Sequence, residues 1–255
     1  MSGARGIDVS AAQAPAGIDW AKVRAAGFEF AYLRQGYGVR MDGAFVAHHD
    51  RARVADVALG AYQFSMVDAD PSDDVRAFLE ACKPLDFACP PMLDLETRNG
   101  ASGDATLAWA RAWIEILRDA TGADPLIYTG AAFWRSLGPG SLDPFWAGVR
   151  LAVAQYGVAA PTVPSPFKGW ALWQRAGNTI WQQSGTGRQA WGKDPPHLME
   201  GGAPWYRVAS SVPVPGVTGE VDVDELPGPL ADLLAPHRLD ASAEFGDASR
   251  KGLDE

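Results

Sequence analysis

The sequence of 255 residues is poor in the features that mark several classes of protein. It has two cysteines and four histidines, too few for a zinc cage, and Cys82 and Cys89 are not spaced as C-x-x-C. The two could form a disulfide in a secreted protein, but we expect two free, buried thiols. No run of about 18 apolar residues is present, which argues against a transmembrane helix. The net charge is −9 and no block of Lys or Arg occurs, so a nonspecific nucleic-acid or membrane-surface protein is not expected.

Sequence motifs of other enzyme classes are also missing. The sequence contains no P-loop, no H-E-x-x-H and no G-x-S-x-G motif. His48-His49 falls in a helical stretch, and we expect an exposed pair there rather than a metal site. The amino terminus runs directly into a strand-like segment without the apolar run and cleavage site of a secretory signal, so we expect synthesis in the cytoplasm without a signal peptide.

The first half of the chain alternates between strand-like and helical patterns, which favours βα units around a parallel sheet. The strongest helical pattern is capped by Asp104 and ended by Gly122. The predicted strands are Gly6–Ser10, Phe28–Arg34, Leu59–Phe64, Pro91–Glu96 and Pro125–Tyr128. The predicted helices are Trp20–Ala26, Ala44–Ala58, Ser72–Cys82 and Asp104–Thr121.

Helical patterns fade after about residue 138, and strand-like segments separated by Gly/Pro-rich loops follow. Five βα units followed by strands with few helices are compatible with an irregular α/β barrel or an open doubly wound sheet. In both architectures functional groups collect at the carboxyl ends of the parallel strands. The later predicted strands are Arg150–Tyr156, Trp170–Gln174, Thr179–Gln183 and Gly219–Val223.

Acidic residues stand at the ends of three predicted strands. In a strand, residues i and i+2 face the same way, so Asp94 and Glu96 project together, and so do Asp222 and Asp224. Asp8 lies near the end of the first strand. One carboxylate cluster would suit glycoside hydrolysis, which uses one protonated and one ionised carboxyl group. Clustered carboxylates also bind Mg²⁺ or Ca²⁺, and a single acid of this kind often serves only as a helix cap or a surface ion pair.

These segments resemble, in order, those of the glycoside hydrolase family 25 lysozymes (N-acetylmuramidases), which include many phage endolysins. The resemblance covers roughly residues 5–230. It rests on seven blocks: Gly6-Ile7-Asp8-Val9-Ser10 with Gln13 and Ile18-Asp19-Trp20; Gly27–Arg34 with Asp42 and Phe45; Gly60-Ala61-Tyr62-Gln63-Phe64, with Gln63 where His is usual; Leu93-Asp94-Leu95-Glu96; Ile127-Tyr128-Thr129-Gly130 and Ala152–Tyr156; Trp181-Gln182; and Val221-Asp222-Val223-Asp224.

The resemblance implies an irregular TIM-like barrel of the α/β class that cleaves the β-1,4 bond between N-acetylmuramic acid and N-acetylglucosamine in peptidoglycan without a cofactor or a metal. It makes Glu96 the general acid, and Asp94 the group that orients the N-acetyl group or stabilises developing positive charge. Asp8 and Asp222 complete the acidic cluster. The groove would be lined by Tyr62, Tyr128, Tyr156, Trp181, Gln182 and Trp173. Trp173-Gln174 and Trp181-Gln182 compete for one position of the family pattern, and we prefer the second.

The domain prediction is a single catalytic barrel over 1–236, with an insertion over 187–217 near the rim of the site and a polar, acidic tail over 237–255. The expected partner is the peptidoglycan glycan strand, and the catalytic unit is expected to be a monomer that neither binds nucleic acid nor inserts into a membrane. A holin, a phage tail, or a secretion or injection machine would deliver it to the cell wall. The alternative is a muramidase-like binding or structural component of a phage or injection particle, without turnover.

Overall fold

The computed structural model describes residues 3–177, 180–183, 189–191, 205–209 and 212–234. Its helices are α1 (Trp20–Ala25), α2 (Phe45–Arg53), α3 (Pro71–Cys82), α4 (Gly103–Thr121), α5 (Ala131–Ser136) and α6 (Leu230–Leu234). Its strands are β1 (Arg5–Val9), β2 (Phe28–Tyr37), β3 (Arg40–Met41), β4 (Ala58–Phe64), β5 (Met92–Asp94), β6 (Leu126–Gly130), β7 (Arg150–Ala154), β8 (Leu172–Ala176), β9 (Ile180–Gln183), β10 (Gln189–Trp191), β11 (Trp205–Ala209) and β12 (Asp222–Glu225).

Eight strands close into a barrel in the order β1-β12-β8-β7-β6-β5-β4-β2, and β1 pairs with β2 to complete the circle. Six neighbouring pairs are parallel, whereas β12 runs antiparallel to both β1 and β8. Helices follow β1 to β6, whereas none follows β7 and none occurs in the described residues between β8 and β12, which confirms the predicted irregular α/β barrel. Short β3 pairs with the end of β2 and extends that strand into a hairpin.

Strand alternation divides the apolar residues into two layers, as the period of two requires. Leu93, Leu95 and Ile127 face outward and pack with the helices, including fully buried Trp113 of α4. Tyr32 and Leu126 face the barrel interior, where they pack with Met92 and Leu172. Asp94, which alternates with the outward-facing Leu93 and Leu95, is thereby directed to the inner face of the barrel.

Helix boundaries follow local capping chemistry. Helix α4 ends at Gly122, whose φ of 67° is the left-handed conformation that glycine adopts without steric cost. Its amino-terminal cap is Ser102 and not the expected Asp104, because the Ser102 hydroxyl accepts a hydrogen bond from the Ala105 amide at 3.2 Å and Asp104 already lies in the first turn. Helix α2 ends at Arg53, five residues before the predicted end.

The prediction of an exposed histidine pair was wrong. His48 and His49 are both buried, with 1% and 3% of their surface exposed. His48 Nε2 donates to the carbonyl oxygens of Ser10 and Gln13, at 3.2 and 2.9 Å, and so fastens the loop after β1 to α2. Burial lowers the pKa of His48, which favours the neutral ring that this arrangement uses. Cys82 and Cys89 are free and buried, as expected.

The region predicted as an insertion holds regular structure where it is described. Strands β10 and β11 both pair antiparallel with β9 and form a separate three-stranded sheet. The rest of 187–217 is described only over 212–217, where Val217 bridges to Ile18. The predicted tail over 237–255 lies outside the described residues.

Candidate active site

The carboxyl ends of the barrel strands surround a cavity of about 340 Å³. Asp8 of β1, Asp94 at the end of β5, Glu96 two residues further on, and Asp222 and Asp224 of β12 all line it. The four acids that sequence reasoning placed together are therefore brought to one cavity. Asp224, which shares a face of β12 with Asp222, joins them.

Burial and mutual repulsion raise the pKa values of the carboxyl groups in this cluster. Burial raises the pKa of Asp94 well above its ordinary value, and the charges of Glu96 and Asp8 raise it further. Burial and the charge of Glu96 raise the pKa of Asp8 to about 6, although a hydrogen bond from Gln174 opposes the shift. Burial also raises the pKa of Asp224. The cluster therefore retains protons close to neutral pH.

Glu96 differs from the other acids in its access to solvent. It follows the end of β5 and lies in an exposed position at the mouth of the cavity. The protein around its carboxyl group still removes enough water to raise its pKa. A protonated carboxyl group at the open side of the cluster can reach a bound substrate, which a buried one cannot do as easily.

Gln174 of β8 organises the floor of the cavity. Its Nε2 donates to Asp8 Oδ2 at 2.8 Å. Its Oε1 accepts hydrogen bonds from the hydroxyl groups of Tyr128, at 2.7 Å, and Tyr156. Because two hydroxyl donors occupy Oε1, the amide must present its NH₂ group to Asp8, and this stabilises the ionised form of that carboxylate.

Arg34 of β2 brings a positive charge to the same cavity. Its Nε and Nη2 both donate to Asp42 Oδ2 at 2.8 Å. Asp42 is buried and also accepts hydrogen bonds from the backbone amides of Ala11 and Ala44. The Arg34 charge lowers the pKa of Asp8 and Asp94 and so opposes the burial that raises both.

Three of the predicted groove residues line the cavity, and Trp173 does not. Tyr62, Tyr128 and Tyr156 do so, with the first two almost fully buried. Trp173 faces the opposite side of β8, where its indole N–H donates to the Gln155 carbonyl oxygen at 2.7 Å, so its predicted place in the groove was wrong. The side chains of Trp181 and Gln182 lie outside the described part of the structure.

Trp173-Gln174, and not the preferred Trp181-Gln182, is the W-Q pair that lies in a barrel strand. Trp173-Gln174 belongs to barrel strand β8, whereas Trp181-Gln182 belongs to β9, which pairs outside the barrel. Sequence reasoning had missed Gln174 and Arg34 as parts of the site. The alternation of a predicted strand places Gln174 on the face opposite Trp173, but it does the same for Gln182 and Trp181, so the sequence alone did not single out Gln174.

Comparison with known proteins identifies the family. The model of the glycosyl hydrolases family 25 matches residues 7–184, which include Asp8, Asp94 and Glu96. The chain belongs to this family. It is therefore a glycoside hydrolase, and the closed barrel with few helices after β6 agrees with the family 25 fold.

Individual relatives agree with this assignment. Lysozyme M1 of Streptomyces globisporus is 31% identical over 251 residues, covering 92% of this chain and 71% of that protein. An N,O-diacetylmuramidase of Arthroderma benhamiae is 25% identical over 182 residues, covering 68% of this chain and 76% of that protein. The crystal structure of a lysozyme from Streptomyces coelicolor superimposes with a TM-score of 0.69 at 28% identity, covering 93% of this chain and 98% of that chain.

Among the described residues, no group of three or more His, Cys, Asp or Glu side chains is arranged to hold a metal ion. Within the same residues, no helix is both long enough and apolar enough to cross a membrane.

Proposed function

We propose that this family 25 hydrolase is a muramidase that cleaves the β-1,4 bond between N-acetylmuramic acid and N-acetylglucosamine in peptidoglycan. The observation that carries the proposal is the single cavity lined by Asp8, Asp94, Glu96 and Asp222. The relatives named as lysozyme and N,O-diacetylmuramidase support the choice of substrate. An acidic cavity at the carboxyl ends of barrel strands provides the paired carboxyl groups that glycosidic cleavage needs.

Glu96 is the general acid of this proposal. Its raised pKa keeps a proton available, and its place at the mouth lets it reach the oxygen of the leaving sugar. Proton transfer from Glu96 to that oxygen accompanies cleavage of its bond to the anomeric carbon, so that the leaving sugar departs as an alcohol and positive charge develops on the remaining ring. Water then forms the new bond at the anomeric carbon and returns a proton to Glu96. The carboxylates of the cluster that remain ionised stabilise this charge as it develops.

Asp94 is the partner of Glu96 in the proposal. Its side chain is almost completely buried, and its Oδ1 has no hydrogen-bond partner among the described residues. Because Asp94 lines the cavity, its carboxyl group would accept a hydrogen bond from the N–H of a substrate acetamido group and so fix the orientation of that group. Asp8 and Asp222 shape the charge of the cluster. Tyr62, Tyr128 and Tyr156 contribute surface against the sugar rings.

We also propose that residues 1–236 act as one monomeric catalytic unit, with the segment 187–217 as an insertion at the rim and 237–255 as a tail. The enzyme acts on the cell wall, and a phage, secretion or injection apparatus is the proposed route of delivery. The charge of −9 supports assisted delivery, because an acidic enzyme gains no electrostatic attraction to an anionic wall.

The test compares purified wild type with Glu96→Gln on isolated peptidoglycan, measuring released reducing ends over time. Removal of a general acid is expected to lower kcat by about 10²–10⁴-fold. Glu80→Gln, which alters an exposed glutamate of α3, is the matched control and should keep full activity. Full activity of Glu96→Gln would refute the acid assignment. An inactive wild type on several wall types would favour the binding component instead.

A further inference from the structure

The hairpin formed by β2 and β3 carries a concentrated group of exposed apolar side chains. Tyr37, Val39 and Met41 are 39%, 61% and 50% exposed. Tyr37 also lines the catalytic cavity, and so does Phe64 at the end of β4. The aromatic part of this surface is therefore continuous with the site of bond cleavage.

Tyr37 is held firmly although it is exposed. The guanidinium group of Arg34 lies 4.2 Å from the centre of its ring and donates a hydrogen bond to its hydroxyl group. The Phe64 ring is 5.1 Å from the Tyr37 ring, between centres, at an angle of 56°. Arg34 is in turn fixed by buried Asp42. A ring held in this way can bind a ligand with little further loss of conformational entropy.

The substrate is a polymer and must continue beyond the cavity. A volume of about 340 Å³ is near the lower limit for small-ligand sites, so a glycan strand that places one bond at the carboxylates extends over the rim. Tyr37 lies on that rim. The flat faces of pyranose rings carry C–H groups that pack against aromatic rings.

We propose that Tyr37, supported by Arg34 and Phe64, is a stacking subsite for a pyranose ring of the glycan strand outside the ring pair at the carboxylates. This inference rests on the proposed muramidase function. A glycan is favoured over a stem peptide as the occupant because the Arg34 charge, which would attract peptide carboxylates, is already paired with Asp42.

The test measures binding independently of turnover. Glu96→Gln and the double variant Glu96→Gln/Tyr37→Ala are titrated with long glycan strands freed of stem peptides, and with the shortest fragment that spans one cleavable bond. An aromatic stacking contact is worth about 0.5–1.5 kcal/mol, so Tyr37→Ala should weaken binding of long strands about 2- to 12-fold. The short fragment should lose clearly less.

Two further variants separate stacking from other effects. Tyr37→Phe keeps the ring and should lose much less affinity than Tyr37→Ala. Met41 lies on the same hairpin but does not line the cavity. The double variant Glu96→Gln/Met41→Ser should therefore bind long strands as tightly as Glu96→Gln does. Equal binding of long strands with and without Tyr37→Ala, or equal losses on long and short ligands, would each overturn the subsite. Binding without cleavage by wild type would instead count against the proposed reaction.

Discussion

Asp74 of α3 provides a sharp test of the electrostatics of this fold. Its side chain is fully buried, and neither carboxyl oxygen has a hydrogen-bond partner among the described residues. Burial, together with the charges of Asp68, Asp73 and Asp70, raises its pKa from 3.8 to about 7. Asp74 lies below the hairpin turn, since a Cβ atom added at Gly38 would be 3.1 Å from Asp74 Oδ1.

A raised pKa in the folded state means that folding favours the protonated form. The stability associated with Asp74 is fully present below pH 3.8 and is lost as the pH rises through about 7. At 1.36 kcal/mol per pKa unit, the complete loss is on the order of 4 kcal/mol. Asp74→Asn keeps the shape of the side chain and removes the charge, so it should relieve this penalty at high pH.

Urea unfolding of wild type, Asp74→Asn and Asp73→Asn at about pH 4.5 and about pH 8.5 gives the required comparison. The free energy of unfolding of Asp74→Asn relative to wild type should rise by about 3 kcal/mol between the two pH values. Asp73, whose side chain is 54% exposed and pairs with Arg76, is the matched control: its charge is only a secondary cause of the raised Asp74 pKa, so the difference between Asp73→Asn and wild type should change with pH far less than that of Asp74→Asn. A difference between Asp74→Asn and wild type that does not vary with pH would refute this reasoning.

Three other predictions follow from buried groups. Gln63 accepts a hydrogen bond from the Trp113 indole and donates to the Gly38 carbonyl oxygen, so Gln63→Leu should lower the free energy of unfolding by about 1–3 kcal/mol for each group left unpaired, measured by urea titration. Gln174→Leu removes the donor to Asp8, so the Asp8 pKa should rise and the acidic limb of the pH–activity profile that reports it should move to higher pH. Cys82 and Cys89 are buried with raised pKa values, so a thiol reagent should label neither in the native protein and both in denaturant.

Local patterns were enough to predict much of the barrel. Alternation of strand-like and helical segments located β1, β2, β4, β5 and β6, because each strand has its own apolar period and each helix its own amphipathic face. The same period placed Asp94 and Glu96 on one face with Leu93 and Leu95 behind them. The antiparallel direction of β12 was not predicted, since strand direction depends on how the chain returns to close the barrel.

Long-range contacts account for what sequence reasoning missed in the site. Gln174 bonds to Asp8 across 166 positions, and no local pattern distinguishes its W-Q segment from the one at Trp181. Only membership of the barrel makes that distinction. His48 was misread for a similar reason, since the carbonyl oxygens that accept hydrogen bonds from its ring N–H belong to residues 38 and 35 positions away.

The identity of the new reducing end tests the central claim most directly. Peptidoglycan digested with wild-type protein is reduced with borohydride, and the products are separated and analysed by mass spectrometry. Cleavage after N-acetylmuramic acid should convert muramic acid residues to their sugar alcohol, and Glu96→Gln should release almost none of this product. Reduced N-acetylglucosamine in place of reduced muramic acid, or equal release by Glu96→Gln, would contradict the account.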